Sequence, residues 1–122
     1  MIMELKIYTS INPTENRKKV IEKMQEAFPG CNFDVSENKI ECKTSDTGVL
    51  EKVRQKVEEK RIKHTVQYLI VKNQTQSGTR VELNKQTLML GKINFVEESY
   101  PLGNVIIESD KPTEFLKALT GL

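Results

Sequence analysis

Apolar and polar side chains alternate at the start of the chain, with Met3, Leu5, Ile7 and Ile11 on one side and Glu4, Lys6, Tyr8 and Ser10 on the other. A period of two predicts a strand with one buried face. Asn12-Pro13-Thr14-Glu15 then offers a capping side chain, a proline suited to the first helical position and a carboxylate three residues after the cap, so a helix is expected to start there. The period changes to the helical one: Val20, Ile21, Met24, Ala27 and Phe28 share a stripe, Lys18 and Glu22 are placed to pair on the other side, and Pro29-Gly30 ends the run.

Alternation returns around Glu37-Asn38, where Phe33 and Val35 precede the turn and Ile40 and Cys42 follow it, the pattern of a hairpin. Pairing Val35 with Ile40 puts Phe33 opposite Cys42 and sends all four side chains to one face. The same register offsets Cys31 from Cys42, which disfavours a disulfide, and sets Asp34 against Glu41, a small unfavourable pair. Ser45 or Asp46 can cap a second helix with Leu50, Val53 and Val57 on its apolar stripe. Residues 62–71 fit two periods equally: Ile62, Val66, Leu69 and Ile70 have helical spacing, while Thr65 to Val71 is rich in strand-favouring side chains.

Downstream, a polar loop with Gly78 leads into a strand at Arg80-Val81-Glu82-Leu83, then into a short helix capped by Asn84 and stopped at Gly91. One more strand carries Ile93 and Phe95 inward, and another, Val105 to Glu108, is reached through a Tyr100-Pro101-Leu102-Gly103 turn. Pro112-Thr113-Glu114 opens a last helix with Phe115, Leu116 and Leu119 toward the core, and its likeness to Pro13-Thr14-Glu15 reads as shared capping chemistry. The elements sum to one α+β domain over residues 1–122, a single-layer mixed or antiparallel sheet packed by helices.

Composition narrows the picture. A chain of 122 residues that is 37% hydrophobic and 30% charged is too apolar for a disordered polymer and too polar for a membrane protein. Glu4 and Lys6 interrupt any leader-like apolar run, and Tyr68 to Val71, the longest strongly apolar stretch, is far short of a membrane helix, so a cytoplasmic location without a membrane partner is expected. Two cysteines lack Cys-x-x-Cys spacing and a single histidine cannot complete a ligand set, so the expectation is free thiols, no metal and no cofactor. His64 has no serine, cysteine or paired carboxylate at a telling spacing, Glu97 and Glu98 point to opposite faces, and no Gly-rich phosphate loop occurs, so no enzyme is expected.

A formal charge of +2 makes any nucleic-acid function depend on how the cations are distributed. Lys52, Lys56, Lys60 and Lys63 recur at helical spacing as a basic stripe along which phosphates can lie, although Glu51, Glu58 and Glu59 dilute it and a solvated helix face has the same pattern. Asn84 and Lys85, at the start of a short helix, with Lys92 after it, form the second candidate site; the plainer alternative is a capping Asn84 beside an exposed Lys85. Aromatics for base stacking are few: Tyr8 lies on the polar side of its strand, whereas Phe33 and Phe95 align with aliphatic residues. Structured RNA is therefore the expected partner, and a protein-interaction or homo-oligomerisation domain is the alternative.

Three blocks, Ile11-Asn12-Pro13-Thr14-Glu15, Leu83-Asn84-Lys85-Gln86 running to Gly91-Lys92-Ile93-Asn94-Phe95, and Pro101-Leu102-Gly103, carry a resemblance to the archaeal uncharacterised protein family two-oh-one over nearly the whole chain. The resemblance implies a fold similar to that of ribosomal protein L five, a helix for residues 62–71 and an RNA-binding label, but no established activity. The chain departs from the family pattern at Lys60-Arg61-Ile62-Lys63-His64, where a glutamine before Arg-Ile and a later aspartate are usual.

Overall fold

The computed structural model describes residues 2–98 and 103–122. Its elements run β1 (Leu5–Ser10), α1 (Arg17–Ala27), β2 (Asp34–Val35), β3 (Lys39–Thr44), α2 (Glu51–Lys60), α3 (Lys63–Lys72), β4 (Thr79–Asn84), α4 (Lys85–Leu88), β5 (Phe95–Val96), β6 (Asn104–Ser109) and α5 (Pro112–Thr120), with a 3-10 turn at Thr47–Leu50 leading into α2. The strands form one open sheet in the order β2-β3-β1-β6-β4-β5. Every pairing is antiparallel, which resolves the mixed-or-antiparallel expectation and leaves an α+β architecture.

The period-two pattern decides which face is covered. In register across β3, β1, β6 and β4, Cys42, Ile7, Ile107 and Val81 make one apolar row, all buried beneath the helices. The helices contribute Val20, Met24 and Phe28 from the first, Val53 and Val57 from α2, Val66, Leu69 and Ile70 from α3, and Phe115 and Leu119 from α5 to the same core. Full burial of one such side chain is worth about 1.5–3 kcal/mol, so this shared core is the main support of the sheet. The opposite face, with Lys6, Tyr8, Glu41, Glu82 and Glu108, is half-buried and faces solvent.

The hairpin register is the expected one: Val35 pairs with Ile40 and Asp34 with Glu41. The unfavourable acidic pair has an explanation, because Lys39 lies 2.7 Å from the Glu41 carboxylate, with Lys43 at 3.8 Å and Lys6 at 3.9 Å. The hydrogen bond from Lys39 is the largest influence on Glu41 and, with the other lysine charges, holds its pKa below the usual value. Both cysteines are free, yet the offset does not separate them: burial first, then the neighbouring Cys42 thiol, raises the Cys31 pKa.

Residues 63–72 are helical, with Val66, Leu69 and Ile70 buried, so burial on the helical period settles what composition left open. The first helix begins later than expected. Asn16 is its cap, accepting from Lys19 N, while the 12–15 segment forms a separate turn in which the Glu15 carboxylate reaches back to Asn12 N at 2.9 Å. Pro112 does stand in the first turn of α5, so the two Pro-Thr-Glu segments are not equivalent. On α1 the ion pair is Lys23 with Glu26 at 3.2 Å, and none forms between Lys18 and Glu22. The expected Tyr100-Pro101-Leu102-Gly103 turn lies outside the described residues apart from Gly103.

Gly78 ends the polar loop before β4 at φ 143°, and a Cβ there would lie 2.1 Å from Ser109 O, so only glycine lets this loop close against β6. At the other end of the sheet a charge is buried. Lys85 is 1% exposed, and its Nζ donates to Ser10 O and, at 2.7 Å, to Glu15 Oε1. Burial of Glu15 raises its pKa, but the Lys85 hydrogen bond, the Asn12 N–H and the lysine charge together outweigh this and hold the carboxyl below its ordinary value.

Removing one member of a buried pair strands the other, at a cost of about 3–5 kcal/mol. Lys85→Ala is therefore expected to lower the urea midpoint far more than Lys52→Ala. Because the folded Glu15 pKa is depressed, the pair's contribution is complete above the ordinary value of 4.5 and is lost as pH falls through the lower folded value. Stability measured between pH 6 and pH 3 should fall less steeply in Glu15→Gln than in the wild type; equal slopes would contradict this account of the pair.

Candidate nucleic-acid interface

Helical spacing places Lys23 and Ala27 one turn apart on α1, and Lys52 and Lys56 one turn apart on α2. The two helices do not pack tightly. A cleft of about 320 Å³ runs between them, walled by Lys23, Glu26 and Ala27 on one side and Lys52, Gln55 and Lys56 on the other. Its floor is Leu88, Gly91 and Ile93, from α4 and the loop behind it. Three lysines and one glutamate thus line it above an apolar base of largely buried residues.

These cations differ in their commitments. The Lys52 side chain has no ion pair or hydrogen bond among the described residues. Lys23 pairs with Glu26, and Lys56 pairs with Glu59 at 3.0 Å; both are exposed intrahelical pairs, worth only about 0.3–0.5 kcal/mol and easily exchanged for a stronger anion. Lys92, between two lining residues, is exposed, and its side chain is likewise without such a partner, although its backbone N–H donates to Thr87 O.

The remaining expected residues fall elsewhere. Lys60 turns back to the protein, donating to Ile93 O and, at 2.7 Å, to Asn94 Oδ1, so it latches the floor loop onto α2. Arg61 closes α2 in the left-handed conformation at φ 55°, the chain changes direction, and Lys63 begins α3 away from the stripe. It lines a shallow depression with Glu58, Arg61 and His64, a lining that holds no hydroxyl or thiol. Asn84 is the cap of α4, accepting from Thr87 N at 3.0 Å. Lys85 is the clearest correction: it is buried in its ion pair instead of exposed to solvent, because α4 turns it inward under the end of β1.

The open sheet face has cations too, but they are matched. Across it run rows in register, Lys43-Lys6-Glu108-Arg80 and Glu41-Tyr8-Ile106-Glu82, and the cations pair with acids of the neighbouring row, Lys6, Lys39 and Lys43 with Glu41 and Arg80 with Glu82. Tyr8 donates to Glu108 Oε1 at 2.6 Å and has Lys6 and Lys39 ammonium groups at 4.9 and 5.0 Å from its ring centre. Burial, then the Glu108 hydrogen bond and charge, push its phenol pKa up. A ring held by these contacts packs within the sheet surface and is not a free stacking platform. Among the described residues there is no cluster of side chains suited to a metal ion, and no helix is long and apolar enough to cross a membrane.

Lys23 and the apolar floor were not singled out in the sequence. The available signal was a lysine one turn before an alanine, but only the approach of α1 to α2 gives it meaning.

A one-sided antiparallel sheet covered by helices, with a cleft lined by three lysines on the helical side, defines a small α+β protein. Its sequence matches the family model described as RNA binding over residues 4–108, and the chain belongs to that family. It is 27% identical over 106 residues to a UPF0201 protein of Methanothermobacter thermautotrophicus, covering 86% of this chain and 80% of that protein. It is 29% identical over 103 residues to a UPF0200/UPF0201 protein of Archaeoglobus fulgidus, of which it spans only 31%, against 84% of its own length. The crystal structure of an uncharacterised UPF0201 protein superposes with a TM-score of 0.79 at 25% identity, covering 98% of this chain and 94% of that one. The UPF0201 protein from Methanococcus jannaschii, at 22% identity and TM-score 0.77 over 98% of this chain and 93% of its own, shows the same fold.

The Lys60 latch is testable by hydrogen exchange. Lys60→Met should speed exchange at the amides of residues 91–94 relative to Lys52→Met, with the strand amides unchanged in both; identical protection in the two variants would show that the latch does not hold the loop.

Proposed function

We propose that the chain is a non-catalytic RNA-binding module whose phosphate contacts are made on the helical side, by Lys52, Lys56 and Lys92 with Lys23 joining from α1. The observation that carries this is the gathering of three lysines around one cleft, with Lys52 and neighbouring Lys92 unpaired among the described residues. The family description as RNA binding supports it, and the names of the relatives include no enzymatic activity. The near balance of charge on the sheet face argues for the helices as the contacting side. Contacts of this kind position a backbone and read little sequence.

Each phosphate contact contributes about 0.7–0.9 to the slope of log affinity against log salt. Lys52→Glu/Lys56→Glu should weaken RNA binding measured by fluorescence anisotropy at low salt and flatten the salt slope by roughly 1.5. Reversing Lys6 and Lys43 on the sheet face should leave the slope close to wild type. Unchanged binding in the Lys52/Lys56 variant would remove the assignment.

Exposed apolar side chains on α3 favour a second reading, a protein-interaction or self-associating domain. Tyr68 and Val71 lie about one turn apart and are 55% and 62% exposed. If they form a contact between copies, sedimentation velocity should give a concentration-dependent dimer that Tyr68→Ser/Val71→Ser dissociates; a monomer at all concentrations would eliminate self-association.

A further inference from the structure

Among the described residues Arg61 is the only non-glycine with a positive φ, 55°, where it closes α2 in a left-handed turn. A side chain there crowds the following carbonyl, so glycine is the favoured residue and arginine holds the position at a cost to the fold. No contact of the side chain offsets that cost: the guanidinium has no ion pair or hydrogen bond among the described residues. The bonds that shape the turn, Arg61 N to Glu58 O and Ile62 N to Val57 O, are made by the backbone and are open to glycine as well.

The side chain instead lines the shallow depression at the α2–α3 corner, together with Glu58, Lys63 and His64. Glu58, Arg61 and His64 are exposed and Lys63 is half-buried, so the lining groups reach solvent. The Lys63 ammonium has no partner among the described residues either, and His64 has only a 3.5 Å contact from Nδ1 to Gln67. Glu58, the one acid of the lining, is engaged by Arg54 at 3.6 Å. Two unpaired cations and an imidazole thus surround a hollow that lacks an anion. This hollow shares no lining residue with the α1–α2 cleft, and Glu58 lies on a different side of α2 from Lys52 and Lys56.

Resting on the RNA-binding reading and adding a second point of contact to it, we infer that the depression formed by Arg61, Lys63 and His64 is a phosphate site, separate from the cleft. The planar guanidinium fork matches two phosphate oxygens, and the ammonium and the imidazole supply donors for the others. A carboxylate has two oxygens and would use the fork alone. Phosphate chemistry is common to the RNA backbone and to a 5′-terminal phosphate, and experiment separates these two sources.

Arg61→Gly tests the site with opposite signs on fold and binding. Relief of the left-handed turn should raise the melting temperature by about 2–4 °C, while RNA affinity at low salt, read by fluorescence anisotropy, should fall about tenfold. Lys63→Gln should weaken binding similarly without the gain in melting temperature. A loss confined to RNA carrying a 5′-phosphate assigns the site to the terminal group, and an equal loss with 5′-hydroxyl RNA assigns it to the backbone. Affinity unchanged in both variants would overturn the inference and leave the cleft as the RNA contact. If the wild type binds no RNA, a titration with inorganic phosphate followed by amide chemical shifts decides: movement at residues 61–64 that Arg61→Gly removes keeps the phosphate site and defeats only the RNA reading, and no movement defeats both.

Discussion

The ammonium of Lys85 lies where water does not reach, and its requirement for partners fixes three parts of the chain against one another. Ser10 O belongs to the end of the central strand, Glu15 to the turn before α1, and Lys85 itself to α4. A buried charge is tolerated only with its acceptors in place, so these segments must close together or not at all. Their closure sets α4 beside α1 and presents Leu88 and the 91–93 loop as the floor of the cleft. Lys60, reaching from α2 to Ile93 O and Asn94, fastens the same loop from the other side. Two lysines that look from their spacing like surface contacts therefore build the site without lining it.

The two faces of the sheet divide the electrostatics. On the open face every cation has a carboxylate within reach in the register, and Glu41 alone has three lysines near it. Such a face has little net field, and the Tyr8 ring on it is occupied. The helical side holds its cations on separate elements, so their carboxylates are local and weakly held. With a formal charge of only +2, the field on either side is set by how its cations are paired and not by their number.

Strand and helix periods were legible wherever burial is one-sided. The Val35–Ile40 register, the Leu50-Val53-Val57 stripe and the inward side of β1 all follow from local alternation and spacing. Residues 63–72 were not legible from composition, since β-branched side chains there serve a helix whose buried stripe meets α5 and β4. The start of α1 was misplaced because Asn12 and Glu15 form the cap-like contact without the helix, and Asn16, four residues later, is the true cap. Nothing local distinguishes the two arrangements, since Glu15 is held in place by a lysine seventy positions away.

By itself the sequence determined the kinds of element, the buried side of each, and the existence of a lysine stripe on α2, since these depend on periods of two and 3.6 residues that any short window contains. Only the tertiary structure decided which lysines face solvent. Lys52 stays unpaired at the surface among the described residues, Lys56 holds an exposed pair with Glu59, Lys60 and Lys85 bind the protein's own oxygens, and Lys63 departs with a change of helix direction. The physical reason is that an ammonium group on a long flexible stem takes its role from the nearest acceptor, and that acceptor is supplied by distant parts of the chain.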